Sequence, residues 1–371
     1  MRLAYGVNGY GRGHAMRVRA LLPELGRRHE LLLLAGADAY DALAPDHATV
    51  RIPNLRYYYA RPGRLSVWQT LARNTPMAMD LWLGGAGVEM VADALRAFRP
   101  DIVLSDGEAF VLRAAERLGI PRITLDNVAQ LAYCQLDLRG YDRFDGWLNG
   151  LGYRLLLGRP ERIIIASFFS APVLRDGIVQ IGPIIRREAA DVIPTRGDYL
   201  LVYISKEGEY TQRVEQALLD AGLPARIYGA PRRGDLRHLT FKPLANRPFI
   251  DDLAGCRAVF GTTGNQLLGE VIHYRKPMLA MPIDCMEQRL NAIMLERMGV
   301  GRMIRPAELT GAAIRSFAEA EPEFLARMPA QRRDGLAEAI SAIDACIAEL
   351  TADRPVTRLN SDPAALGGAA A

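Results

Sequence analysis

The stretch from Arg257 to Asn291 limits what this chain can fold into more than any other. Arg257-Ala258-Val259-Phe260 reads as a short buried strand, and Gly261-Thr262-Thr263-Gly264 as a turn of small residues. From Gly264 the periodicity changes. Leu267, Leu268, Val271 and Ile272 span roughly 140° of one helix face at 100° per residue. The helix is predicted to stop ahead of Lys276-Pro277, because the residue before a proline avoids helical backbone. Met278-Leu279-Ala280-Met281 is the next strand. This is a βαβ unit of an open α/β sheet, whose ligands sit beyond the C-terminal strand ends.

The same stretch carries chemistry. A helix start offers unpaired N–H groups and partial positive charge, and small residues let a phosphate approach them. Thr262, Thr263, Gly264 and Asn265 are therefore candidate phosphate contacts. Thr263, Gln266 and Glu270 fall opposite the apolar face. Glu270, about two turns along, has the acceptor pair a ribose diol needs. Glu287 and Gln288 follow the second strand at the ligand edge. The bland reading is an ordinary βαβ unit with incidental polar residues.

These residues resemble the donor-binding segment of the GT-B glycosyltransferases that use nucleotide sugars. Similar patterns occur in the bacterial undecaprenyl-linked N-acetylglucosamine transferase and in the UDP-glucuronosyl and plant natural-product transferases. The matching positions are Thr262 to Asn265, Glu270, Lys276-Pro277, Glu287-Gln288 and Asn291-Ala292. The plant enzymes carry a histidine where Thr262 stands, so no imidazole contact to phosphate is implied. The resemblance implies two facing Rossmann-like α/β domains with parallel sheets. It also implies sugar transfer from a UDP-sugar to an acceptor hydroxyl with inversion. The UDP-sugar is a co-substrate and no cofactor is implied.

The first strand, Arg2 to Val7, leads into a glycine-rich turn, Asn8-Gly9-Tyr10-Gly11-Arg12-Gly13-His14. A helix with Val18, Leu21, Leu22 and Leu25 at helical spacing follows, then a strand from Glu30 to Ala35. A dinucleotide fingerprint would want a third glycine where His14 stands, although Asp38 lies at a plausible distance for a ribose acid. In the resembling enzymes such a histidine is the base that deprotonates the acceptor, and Gly13 beside it is a candidate donor contact. A neutral imidazole suits that task. Asp106 ends the clear strand Arg99 to Asp106. In the plant transferases an aspartate there holds the catalytic histidine, fixing its tautomer. The competing readings are a helix-start histidine without chemistry and a solvated or capping aspartate. A later Asp126-Asn127 pair is followed by Val128-Ala129, so no second histidine is offered.

Trp68 and Trp82 would suit an apolar acceptor, a lipid or natural product, or belong to the core. Pro76 and the Gly84–Gly87 cluster are expected to interrupt any long helix there. The expected division is residues 1–185, a linker 186–197, residues 198–330, a helix over 331–354 that crosses back, and a disordered tail 355–371. Ser205 ends the first strand of the second half and is a further donor candidate. Phe241 to Leu244 are candidates for holding the nucleobase.

The 371 residues suit two domains. A net charge of +4 without basic–aromatic interleaving makes nucleic acid a poor partner. Four scattered cysteines argue against zinc and disulfides and suit a reducing cytoplasm. No signal peptide, membrane span or Asp-x-Asp metal motif is read. Arg12, Arg17, Arg19, Arg27 and Arg28, with the Trp68–Trp82 stretch, suggest peripheral contact with the inner face of a membrane. Two other classes share the fold: a non-hydrolysing sugar-nucleotide epimerase, and a non-catalytic nucleotide-sugar-binding protein.

Overall fold

The computed structural model describes residues 1–10, 12–55, 59–61, 64–65, 67–330 and 333–352. Sixteen strands lie among them. In the N-terminal half they are β1 (Arg2–Val7), β2 (Glu30–Ala35), β3 (Thr49–Arg51), β4 (Tyr59–Arg61), β5 (Arg64–Leu65), β6 (Ile102–Asp106), β7 (Arg122–Asp126), β8 (Arg162–Ala166) and β9 (Ile178–Ile181). The second half contributes β10 (Leu200–Tyr203), β11 (Ala225–Tyr228), β12 (Gly234–Leu236), β13 (Leu239–Lys242), β14 (Ala258–Gly261), β15 (Met278–Ala280) and β16 (Gly301–Met303).

Fourteen of them build two seven-stranded sheets, in the orders β3-β2-β1-β6-β7-β8-β9 and β12-β13-β11-β10-β14-β15-β16, and β4 and β5 pair as a separate antiparallel ribbon. The first is parallel throughout, and in the second only β12 pairs antiparallel. The strands are runs of Val, Ile, Leu and Ala without alternation because helices cover both faces. Each sheet reverses its order beside its first strand, between β1 and β6 and between β10 and β14. A crevice opens at each reversal, beyond the carboxyl ends of the strands.

The expected βαβ elements form. The helix Val67–Leu83 runs through Pro76 instead of ending there, and stops at Gly84, whose φ is +68°. The glycines break this region and the proline does not. The last helix spans Leu336–Ala352, starting later than its expected boundary. It packs Ile340, Ile343, Cys346 and Ile347 into the core built on Leu3, Tyr5 and Leu104 of the first sheet. The final helix therefore returns to the N-terminal half. The tail expected over 355–371 lies outside the described residues.

Glycine is required where the turn after β1 packs on the turn after β2. A Cβ on Gly9 would lie 2.3 Å from the Gly36 carbonyl oxygen. Ile343 is fully buried where the last helix meets the first sheet. Ile343→Ala is expected to cost about 2–5 kcal/mol, read as a lower urea midpoint. A change within about 0.5 kcal/mol would mean that the helix contributes no core.

Candidate active site

The glycine-rich turn after β1 feeds a helix, Arg12–Arg28, which starts at the first crevice. Parallel register sets Val7 beside Asp106 at the ends of β1 and β6. His14 Nδ1 lies 2.6 Å from Asp106 Oδ1, so the two predicted catalytic residues meet. Asp106 is fully buried, and the His14 side chain keeps 16% exposure. With Nδ1–H donated to the carboxylate, Nε2 is left as the proton acceptor.

Arg17, one turn after His14, completes the cluster. Its Nε donates to Asp106 Oδ2 at 2.8 Å and its Nη2 to Oδ1 at 2.5 Å. Burial works to raise the Asp106 carboxyl, but the Arg17 charge and His14 outweigh it and hold the carboxyl below its usual range. Burial opposes the guanidinium charge too, yet Asp106 keeps Arg17 more basic than usual. The sequence reading sets Arg17 among membrane-facing arginines, and the structure corrects this, since it is 3% exposed. The signal available was its i, i+3 spacing from His14, which puts both side chains on one helix face.

A third link crosses to the second half. Arg17 Nη1 donates to Asn127 Oδ1 at 3.3 Å, and Asn127 Nδ2 donates to Glu287 Oε1 at 2.8 Å. One amide thus joins Arg17 to Glu287, one of the donor-side candidates. Lys206 Nζ donates to Tyr10 Oη across the same gap at 2.7 Å. Arg289 donates to Asp142 at 2.8 Å and also pairs with Asp145.

The donor-side candidates gather at the second crevice with divided tasks. Thr262 Oγ1 accepts from the Ser205 backbone N–H at 3.2 Å, which ties the ends of β10 and β14 together. Thr263 is buried, donating its N–H to Gln288 Oε1 at 3.0 Å and its hydroxyl to the Gln288 carbonyl at 2.8 Å. Gln288 also accepts from the Ile283 N–H at 3.2 Å, so its side-chain oxygen braces the loop instead of facing the gap. Asn265 reaches the other half, donating to the Ala166 carbonyl at 3.3 Å. Gly264 caps the helix Asn265–His273 without a side-chain hydrogen bond, and a Cβ there would meet nothing within 4 Å. That helix start is open to an anion. Gly13 stands opposite, where a Cβ would lie 3.9 Å from Gln266 Cβ. Ser205 is exposed at the end of the β10 loop.

Glu270 differs from its expected setting. It is 1% exposed, and Arg186 forks onto it with Nε–Oε1 and Nη2–Oε2 both at 2.7 Å. Gln266 Nε2 adds a bond at 3.0 Å. Arg186 also pairs with Asn246 Oδ1, in the segment after β13. It lies in the linker, far from Glu270 in sequence, so no local pattern could have found it. Of the nucleobase candidates, Phe241 is buried in the core and Lys242 Nζ is held by Asp252 at 2.6 Å, while Leu244 is exposed. Trp82 turns outward, and the Trp68 side chain lies outside the described residues. No cluster of metal-binding side chains occurs among the described residues.

Two parallel sheets opposed at their switch points form the GT-B arrangement, the class this fold and cleft define. The glycosyltransferase of kitacinnamycin superposes with a TM-score of 0.68 at 21% identity, covering 93% of this chain and 99% of that one. The glycosyltransferase VinC, solved with DTDP, superposes at 0.58 and 15% identity, covering 93% and 99%. An uncharacterized glycosyltransferase of Methanosarcina acetivorans is 25% identical over 355 residues, 86% of this chain and 91% of the relative. The sequence profile of glycosyl transferase family 1 matches residues 1–322, and the chain belongs to that family. It is a glycosyltransferase of GT-B type.

Two outcomes follow from these contacts. Asn127→Ala and Glu287→Gln should be non-additive, with a coupling of about 0.5–3 kcal/mol in a double-mutant cycle on unfolding free energy. Additive losses would break the proposed bridge. Glu209, in the loop after β10, is 7% exposed. Burial pushes its carboxyl up to about 7, against the pull of Lys206 and the Ser205 hydroxyl. A raised folded-state value favours folding below the ordinary glutamate range, and that contribution is lost as pH rises through about 7. Glu209→Gln should therefore raise Tm above wild type at about pH 8.5, with the two converging near about pH 4.5. A gain that is the same at both pH values would refute the assignment.

Proposed function

We propose that this glycosyltransferase moves a hexose-type sugar from a UDP-sugar to an acceptor hydroxyl, inverting the anomeric centre without a metal. The observation that carries this reading is the His14–Asp106 pair at 2.6 Å, facing a helix start with no side-chain cap. His14 Nε2 takes the acceptor proton as the oxygen attacks. Asp106, held by Arg17, fixes the imidazole tautomer and stabilises its cation. The start of Asn265–His273 receives the departing diphosphate through backbone N–H groups and the helix dipole. Thr262 and Thr263 hold that turn in shape, and Ser205 and Gly13 border it.

Glu270 takes the ribose hydroxyls, with Arg186 orienting the carboxylate. Glu287 takes a sugar hydroxyl, and Gln288 positions the loop that presents it. An apolar acceptor, a lipid or natural product, suits the surroundings. Four scattered cysteines support a cytoplasmic location, with peripheral contact at the inner face of a membrane. VinC was solved with DTDP, which makes dTDP-sugars the second donor class to test.

The test begins with a thermal-shift panel of UDP-, dTDP- and GDP-sugars, since a ligand that binds only the folded state raises Tm. With the donor known, His14→Ala should bind the nucleotide as wild type does while kcat falls about 10²–10⁴-fold, the usual worth of a positioned base. Near-normal kcat would sink the mechanism. Parallel loss of nucleotide binding would make His14 a donor ligand instead.

A further inference from the structure

We propose that the outward face of the helix Gly140–Leu157 docks this glycosyltransferase on an anionic membrane surface. The helix exposes Tyr141 by 68%, Phe144 and Trp147 by 58%, and Leu148 and Leu155 by 47%. At 100° per residue these five side chains share an arc of roughly 120°. The stripe continues onto the neighbouring helix Val67–Leu83, where Trp82 is 55% and Leu83 75% exposed. Trp82 donates its indole N–H to the Leu155 carbonyl at 3.1 Å, so its ring stays outside with its polar atom satisfied. Two tryptophans, a tyrosine and a phenylalanine on one surface are more than scattered apolar exposure.

The helix cannot roll to hide this stripe. Its opposite face approaches so closely that a Cβ on Gly150 would lie 2.3 Å from the Leu131 carbonyl oxygen. Asp142 and Asp145, the only acids of the helix, are held by Arg289 of the second half. Arg289, which also pairs with Asp284, offsets part of the helix's negative charge and fixes its rotation.

The charge beside the stripe selects the partner. Arg143 and Arg154 flank its edge on the helical wheel, roughly 20–40° from Trp147. Arg139 and Arg159 stand at the two ends. None of these four forms an ion pair among the described residues, unlike Arg17, Arg19, Arg27 and Arg28, which are paired with Asp106, Asp46, Glu24 and Asp344. An apolar aromatic stripe edged by guanidinium groups without a carboxylate partner, Arg154 donating only to the Ala132 carbonyl at 2.7 Å, is the pattern of a helix lying in a lipid interface, rings at headgroup depth and cations on anionic headgroups. A second copy of the chain fits worse, since a two-fold contact would set these arginines against themselves. No described helix is long and apolar enough to cross the membrane, so the contact is peripheral.

The test is flotation of the full chain with vesicles of phosphatidylcholine, with and without phosphatidylglycerol. Binding needs neither donor nor turnover, so the result is independent of the mechanism above. Wild type should bind the anionic vesicles at least about tenfold better. Phe144→Ser with Trp147→Ser should lose binding to both by about tenfold or more. Arg139→Glu with Arg143→Glu should keep the residual binding and lose the anionic preference. Thermal melts check that each variant folds, and if the aromatic variant does not, the arginine variant and the lipid comparison decide. Equal flotation with both vesicles, or wild-type binding by the aromatic variant, overturns the proposal. So does a dimer in sedimentation that the aromatic variant dissolves while wild type ignores vesicles.

Discussion

The candidate site of the N-terminal half rests on the ion pair between Arg17 and Asp106. A carboxylate with no exposure cannot stay ionised unless a charge and several donors replace the lost water. Arg17 does this with two parallel hydrogen bonds, and the shared Oδ1 still reaches His14. Helical spacing puts the arginine and the histidine on one face, and strand register puts the aspartate under both. A slip of one residue between β1 and β6 would turn Asp106 to the other side of the sheet and bring Ser105 forward. The dyad is therefore a property of the sheet as much as of its residues.

The two halves meet through bonds that can be exchanged. Asn127–Glu287, Lys206–Tyr10, Arg289–Asp142 and Asn265–Ala166 are polar and directional, and a sugar or water can take over their donors and acceptors. An apolar contact, Leu131 and Leu138 against Met286 and Leu290, sits beside them, and the last helix ties the C-terminus to the first sheet. Interfaces of this mixed kind permit relative motion of domains. Arg186 leaves the first half and ends on Glu270, so the linker itself reaches a candidate nucleotide contact.

Periodicity and proline placement made the βαβ units legible, because a buried parallel strand and an amphipathic helix differ in period over a few residues. The helix start at Gly264 could be read from its small residues alone. The Pro76 reading failed because tertiary packing holds that helix around the proline. The membrane reading pointed at arginines of the first helix and at the Trp68–Trp82 stretch; of those arginines, Arg17, Arg19, Arg27 and Arg28 are spent on ion pairs, while Trp82 does face outward. Arg139, Arg143, Arg154 and Arg159, without a carboxylate partner among the described residues, lie on and beside the helix Gly140–Leu157, whose aromatic residues carried no signal until its buried face was known.

The sequence by itself determined the α/β class, the two crevices, the resemblance to GT-B enzymes, and the pairing of His14 with Asp106 as a hypothesis. The α/β class rests on local spacing, which a linear pattern records, and the His14–Asp106 pairing on what the resemblance implies for residues at strand ends. The tertiary structure alone decided that Arg17 is buried, that Gln288 braces a loop, that Arg186 covers Glu270, and that Asn127 bridges the halves. Those roles depend on contacts between residues separated by up to 160 positions. A side chain's charge is visible in a sequence, but whether it meets water, a partner or a ligand is set by what the fold packs around it.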